Sequence, residues 1–188
     1  LGVDGLLAEE IFIALMEGAQ RAQASDSPLQ AADSFPKLAI IGGAGRLARR
    51  LVEVLNWPAA RLSIIERGDA LDCEALRSAE VVLITVPLES LADVARAAAP
   101  LVRRDALLAD IGSLKFEVCE IFRESGPAEC LGLHPVFGPT VHSLRRQKIV
   151  VCPVREGPRA KEFLARFSSR GAELVVSDAK HHDHLMAA

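Results

Sequence analysis

The stretch KLAIIGGAGRLARRL, Lys37 to Leu51, passes from a short apolar run through three glycines into a segment with helical spacing. Within it, Gly43-Ala44-Gly45-Arg46-Leu47-Ala48 has the form G-x-G-x-x-A. Directly after a strand and opening a helix, each small residue of such a pattern has a task. These are a tight turn, close approach of backbone to a pyrophosphate, and close packing of helix on strand, with alanine permitted at the third site. The first N–H groups of the helix have no partner inside it and so face the phosphates. Gly43, Ala44, Gly45, Arg46 and Leu47 are therefore the expected dinucleotide cradle. The triplet alone is a weak signal; the strand before it and the helix after it carry the argument.

Outward from this turn the chain alternates. Strand-like runs fall at 38–41, 62–65, 81–86, 107–110, 130–133, 149–152 and 173–176, and helix-like runs at 46–55, 88–98, 114–124 and 159–169. Apolar strands without strict alternation suit a sheet buried on both faces, and strand–helix alternation implies parallel connections. The expected fold is α/β: a doubly wound, mostly parallel Rossmann-type sheet over 37–180. Before it, GLLAEEIFIALMEGAQRAQ (Gly5–Gln23) spaces Leu6, Leu7, Ile11, Leu15 and Met16 as one amphipathic helix within 1–24, and 25–36 reads as a linker. After it, 181–188 begins a further helix.

Half of the 188 residues are hydrophobic, with mean hydropathy +0.23, net charge −3 and pI near 6.0. That balance gives no electrostatic reason for a nucleic acid or anionic membrane partner. Neither a membrane-length apolar run nor a secretory leader is evident. Cys73, Cys119, Cys130 and Cys152 form no C-x-x-C pair, and buried free thiols in a reducing cytoplasm are the expectation. The chain starts with Leu rather than Met, which suggests a fragment or a processed chain.

Glu66 ends the run RLSIIE, 21 positions after Gly45. A carboxylate there accepts hydrogen bonds from ribose hydroxyls and repels a 2′-phosphate, which favours NAD over NADP. Arg67 beside it pulls the other way. Val86-Pro87, in ITVPLESL, sets an apolar edge and a rigid turn where the sheet binds ligands, although an ordinary proline at a helix start reads the same way.

Two loops carry the candidate chemistry. LLADIGSLK places Asp110, Ser113 and Lys115 past one strand, and LGLHPVFGP brackets His134 between a strand and two prolines. In a parallel sheet both loops open on the same edge as the glycine turn. A histidine there takes a proton from a substrate hydroxyl while a nicotinamide accepts hydride, and Ser113 orients the same hydroxyl. Taken singly, His134 reads equally well as a structural histidine bonded to backbone.

These segments resemble a known family. GLHPVFGP resembles the GxHPMFGP segment of the prephenate and arogenate dehydrogenases, ADIGSLK its D-x-x-S-x-K, and HHDHLMA its H-D-x-x-M-A, in order over about 37–188. The resemblance implies oxidative decarboxylation of prephenate by NAD to 4-hydroxyphenylpyruvate, carbon dioxide and NADH, in tyrosine biosynthesis. It implies His134 as the residue that polarises or deprotonates the ring hydroxyl, Ser113 as its orienting partner, and a homodimer built by a second, helical domain. Two departures stand out. Val136 replaces a methionine at a site expected to pack, and only the first turn of the helical domain, 182–188, is present. Weak activity of the chain alone is the consequence. Arg145, Arg146 and Lys148 read as a solvated charged face.

Gly5–Gln23 also resembles the last helix of the small helical chorismate mutases, as in fused mutase–dehydrogenase proteins; a helix that simply packs is the alternative. His181, His182 and His184 point in different directions on a helix, so no metal site is expected, and a helix-start cluster near the active-site edge is the reading instead. Three functions stay open: the prephenate-type enzyme or its arogenate counterpart, an NAD-binding module without turnover, and another dehydrogenase on the same scaffold.

Overall fold

The computed structural model describes residues 34–187. The amphipathic helix expected over Gly5–Gln23 and most of the linker lie outside the described residues. From Leu38 onward the chain folds as β1 (Leu38–Ile41), α1 (Arg46–Val54), β2 (Leu62–Ile65), α2 (Glu74–Ser78), β3 (Val81–Ile84), α3 (Leu88–Ala98) and β4 (Leu107–Asp110). It continues through α4 (Phe116–Ser125), β5 (Glu129–Pro135), β6 (Lys148–Arg155), α5 (Pro158–Ser168), β7 (Glu173–Val176) and α6 (Ala179–Met186).

The strands form one seven-stranded sheet in the order β2-β1-β3-β4-β5-β6-β7. Alternate strand residues feed opposite faces, as strand geometry requires. Leu38, Ile40, Leu83, Leu107, Leu131 and Ile149 pack with Ala48 and Leu51 of α1 and Phe163 and Phe167 of α5. Ala39, Ile41, Val82, Ile84 and Leu108 pack on the other side with Leu76 of α2, Leu91 and Ala95 of α3, and Val118 and Phe122 of α4. Both faces are thus covered, which is why β1 and β3 are apolar throughout, and β4 as far as its last residue, Asp110, rather than alternating.

The expectation of parallel connections fails at one place. β6 runs antiparallel to β5, with Pro135 opposite Ile149 and Gly132 opposite Cys152. A parallel return needs a helical crossover, and the segment 136–147 forms none. β7 then pairs parallel to β6. The short helix α2 also escapes the sequence pattern, because five residues are too few to display a helical period. Cys119, Cys130 and Cys152 are buried free thiols, and Cys73 is partly buried.

Candidate active site

The strand ends line up. Ile41 is level with Ile65 and Ile84, Ile84 with Asp110, and Asp110 with Gly132. Residues just past these positions therefore share one rim of the sheet: Gly42, Glu66, Val86, Ser113 and His134.

On one side of the rim lies the glycine turn. The left-handed conformation falls on Gly42, at φ +82°, one position before the fingerprint. A Cβ on Gly42 would stand 2.9 Å from Val86 Cγ1, and one on Gly43 would stand 3.0 Å from Ile64 Cγ2. The tight-turn task expected of Gly43 thus belongs to Gly42, and the Gly-Gly doublet directly after the strand was its signal. Gly45 caps α1 without a side chain, and the helix has no acidic residue in its first turn. The N–H groups of Arg46 and Leu47 are left to an external acceptor. Ala48 is buried against the sheet, as close helix–strand packing requires. A turn of three glycines and one alanine running into an uncapped helix start fits the diphosphate of a dinucleotide. Glu66, just beyond β2, accepts the Ala44 N–H at 2.5 Å, so its carboxylate stands over the turn. Arg67 is exposed beside it. Pro87 is the N-cap of α3, and Val86 packs on the core below the turn.

On the other side lies His134, half-buried on β5. Its Nδ1 is 2.9 Å from His182 Nε2, and the rings meet edge to face at 84°. His182, buried on α6, places its Nδ1 2.7 Å from Asp183 Oδ1. Asp183 also caps α4 from a distance: Lys115 N donates to Oδ1 at 2.7 Å and Phe116 N to Oδ2 at 2.8 Å. Burial pushes the Asp183 carboxyl up, but these backbone donors and His182 outweigh it and hold the group below its ordinary value. Burial, then the neighbouring His182 and Lys115, hold the His134 imidazole below its ordinary value despite Asp183.

Beneath this edge Lys115 is completely buried, ion-paired with Asp110 Oδ2 and donating to the Leu133 carbonyl at 2.9 Å. Gly132 leaves room for it, since a Cβ there would stand 3.0 Å from Lys115 Cδ. Burial raises the Asp110 carboxyl, with Lys115 opposing. Ser113 is exposed on the same loop.

Two expectations change. Val136 does not pack: 51% of it is exposed, because its backbone N–H pairs with the Lys148 carbonyl and turns the side chain outward. The further helix expected over 181–188 is α6 and begins at Ala179, capped by Asp178, which accepts the Lys180 and His181 N–H groups at 3.0 Å. Arg145, Arg146 and Lys148 are exposed, as expected. The sequence put His182 in a helix-start cluster near the active-site edge but paired neither it nor Asp183 with His134, and the H-D pair was visible only as part of a motif.

A protein family described as prephenate dehydrogenase, nucleotide-binding domain, matches residues 56–176. That span begins past the glycine turn and takes in Glu66, Val86, Ser113 and His134. The T-protein of Haemophilus influenzae is 32% identical over 151 residues, covering 80% of this chain and 40% of that protein. The T-protein of Enterobacter agglomerans is 28% identical over 188 residues, all of this chain and 50% of that protein. The chain thus spans about half the length of these relatives or less. The prephenate dehydrogenase of Aquifex aeolicus, solved with hydroxyphenyl propionate and NAD+, superposes with a TM-score of 0.67 at 15% identity. That superposition covers 82% of this chain and 64% of the other, and at such identity it establishes a shared fold.

Proposed function

The chain belongs to the prephenate dehydrogenase family, and on that premise we propose that it binds NAD and carries the proton-handling histidine of a prephenate dehydrogenase. The observation that carries this reading is the rim itself: His134 and the glycine turn lie at the ends of in-register strands. His134 Nδ1 is engaged by His182. Nε2 has no partner among the described residues and is left for a ligand.

Bound NAD supplies the hydride acceptor. His134 Nε2 takes the proton of the ring hydroxyl while hydride leaves the carbon that bears it. As the carboxylate departs as carbon dioxide and the ring becomes aromatic, the proton returns to the same oxygen. No net proton is released, so the histidine needs only to hold one and give it back. Its low affinity for protons suits it to start neutral. Ser113, exposed on the β4–α4 loop, offers its hydroxyl to the same substrate oxygen or to the nicotinamide region. Gly43, Ala44, Gly45, Arg46 and Leu47 hold the diphosphate, and Glu66 with Arg67 meets the adenosine ribose. Val86 and Pro87 floor the site between them. Aromatisation supplies the driving force, leaving positioning as the protein's main task.

Homodimerisation belongs to the same reading, supported by Leu185 and Met186 on α6 and Val176 at the sheet edge, which are exposed apolar side chains. So does residence in the cytoplasm, supported by the buried free thiols; no described helix is long and apolar enough to cross a membrane. The test is titration of the purified chain with NAD, NADP, prephenate and arogenate, with His134→Asn alongside. The expected result is tighter binding of NAD than NADP, with any prephenate turnover abolished by H134N. Absence of NAD binding would overturn the reading, and turnover of arogenate in preference to prephenate would reassign the substrate.

A further inference from the structure

The line of groups behind His134 determines which of its nitrogens carries the proton. Asp183 is the fixed end. Its carboxylate accepts two backbone N–H groups, from Lys115 and Phe116, and is held in the ionised form. An ionised carboxylate only accepts, so His182 Nδ1, 2.7 Å away, must donate. In a neutral His182 this leaves Nε2 as an acceptor. The atom facing that acceptor, at 2.9 Å, is His134 Nδ1, which must therefore be the protonated nitrogen of its ring. His134 Nε2 then carries a bare lone pair.

We propose that Asp183 and His182 are positioning residues that lock His134 in the Nδ1–H tautomer and serve as a store for the proton it accepts. This deepens the dehydrogenase reading and rests on it. When His134 Nε2 gains the hydroxyl proton, its Nδ1 proton passes to His182 Nε2. His134 ends neutral, protonated on Nε2, and His182 ends as an imidazolium with both nitrogens protonated beside the Asp183 carboxylate. Reversal of both transfers returns the proton to the substrate oxygen. The charge thereby moves off the ring nearest the substrate and onto a buried ring already paired with a carboxylate. Lys115, the other charged group acting on His134, disfavours a cation on that ring, which adds to the advantage of moving the charge to His182.

The same contacts give the adjacent histidine and aspartate of α6 a shared task. Asp183 is one residue from His182, yet its carboxylate caps α4, so the helix start, the loop holding Ser113 and the imidazole relay are one hydrogen-bonded unit. Replacing Asp183 by alanine removes the acceptor that fixes the His182 ring, and its two neutral tautomers become free to exchange. Where His182 carries its proton on Nε2, it donates to His134 Nδ1. His134 then carries its own proton on Nε2, where it cannot act as a base.

The decisive measurement is long-range 1H–15N correlation of the imidazole nitrogens in the 15N-labelled 188-residue chain at mildly alkaline pH, with His134 assigned by its loss in H134N. The expected spectrum shows His134 protonated on Nδ1 and bare on Nε2. In Asp183→Ala this pattern is expected to give way to a mixture with the Nε2–H form. In His182→Ala, which leaves His134 Nδ1 without its acceptor, the two tautomers are expected to mix as well. Where prephenate turnover is measurable, D183A should lower kcat by up to roughly 10²–10⁴-fold, the range a general base contributes, with little change in the KM for NAD. A wild-type His134 protonated on Nε2, or an unaltered tautomer in folded D183A or H182A, would overturn the relay. Should neither variant fold, the wild-type spectrum still decides. The expected tautomer in a chain that neither binds NAD nor turns over prephenate would instead overturn the dehydrogenase reading and leave the hydrogen-bonded unit standing.

Discussion

The ammonium of Lys115 and the carboxylate of Asp110 form an ion pair with no solvent exposure at either side chain. The pair fastens the β4–α4 loop to β5, because the same ammonium donates to the carbonyl of Leu133, the residue before His134. Asp110 Oδ2 also accepts the Gly112 N–H at 2.7 Å. Removing one partner of such a pair strands a buried charge, which costs about 3–5 kcal/mol.

Lys115→Met is therefore expected to destabilise the chain by about 3–5 kcal/mol, read as a lower urea midpoint. Removing the stranded carboxylate as well, in Asp110→Asn/Lys115→Met, should recover part of that loss. An equal loss in the single and double variants would mean that the lysine acts through its bond to Leu133 alone.

Two glycines with positive φ provide a paired test of the cradle. Gly68, at φ +100°, has nothing within 4 Å of an added Cβ, whereas Gly42 would meet Val86 Cγ1 at 2.9 Å and the Thr85–Val86 backbone at 3.2–3.3 Å. Gly68→Ala should incur only the left-handed penalty of roughly 1–2 kcal/mol. Gly42→Ala adds overlap with neighbours that the core holds in place, at about 1–3 kcal/mol more. Thermal unfolding should separate the two by several degrees, at roughly 2–4 °C per kcal/mol for a domain of this size. Equal melting temperatures would show that Val86 yields and that the turn is not tightly built.

The contrast between these glycines marks how far the sequence was legible. The sheet could be anticipated because β1 and β3, and β4 up to Asp110, are buried on both faces and so are apolar, while the longer helices α1 and α3 between them keep a 3.6-residue period. The rim could be anticipated because parallel strands end together, which puts Ser113 and His134 on the same edge as the glycine turn. What stayed hidden depends on chain reversal and on long-range side-chain pairing. At β5–β6 the signal was only an omission: no helix-like run falls between 130–133 and 149–152, as a parallel crossover would require. Two adjacent glycines leave open which takes the positive φ, and it falls on Gly42. The meeting of His134 with His182 spans 48 positions and arises from α6 folding back over the rim, a contact no periodicity encodes. Lys115 is the sharpest case: a lysine in a polar loop reads as solvated, and its burial depends on Asp110 below it and on the missing side chain of Gly132 beside it.

Cofactor choice should turn on Glu66. Its carboxylate stands over the glycine turn through the Ala44 N–H, with Arg67 exposed next to it. A 2′-phosphate brought to this corner meets a like charge first. Glu66→Ala should remove that repulsion and leave Arg67 to pair with the phosphate, raising the affinity for NADP relative to NAD by about tenfold, equivalent to roughly 1.4 kcal/mol. Fluorescence titration of both cofactors against wild type and E66A measures the ratio. A ratio unchanged by E66A would place the ribose contact elsewhere.

The acid limb of stability should carry the signature of His134. Burial first, then His182 and Lys115, hold its imidazole below the ordinary value of about 6.5. The unfolded chain consequently binds a proton more readily at this residue than the folded one, so stability rises with pH across the window. The contribution is fully present above about 6.5 and is lost as pH falls through the lower, folded value. Asp183 titrates separately. Its carboxyl is also held low, so its contribution is present above the ordinary aspartate value of about 3.9 and disappears only in stronger acid. Urea midpoints measured from pH 8 down to pH 3 should therefore fall in two stages for the wild type. In His134→Asn the first stage should flatten while the second remains. Persistence of the full upper stage in H134N would assign that titration to another group and remove the argument that His134 enters the reaction unprotonated.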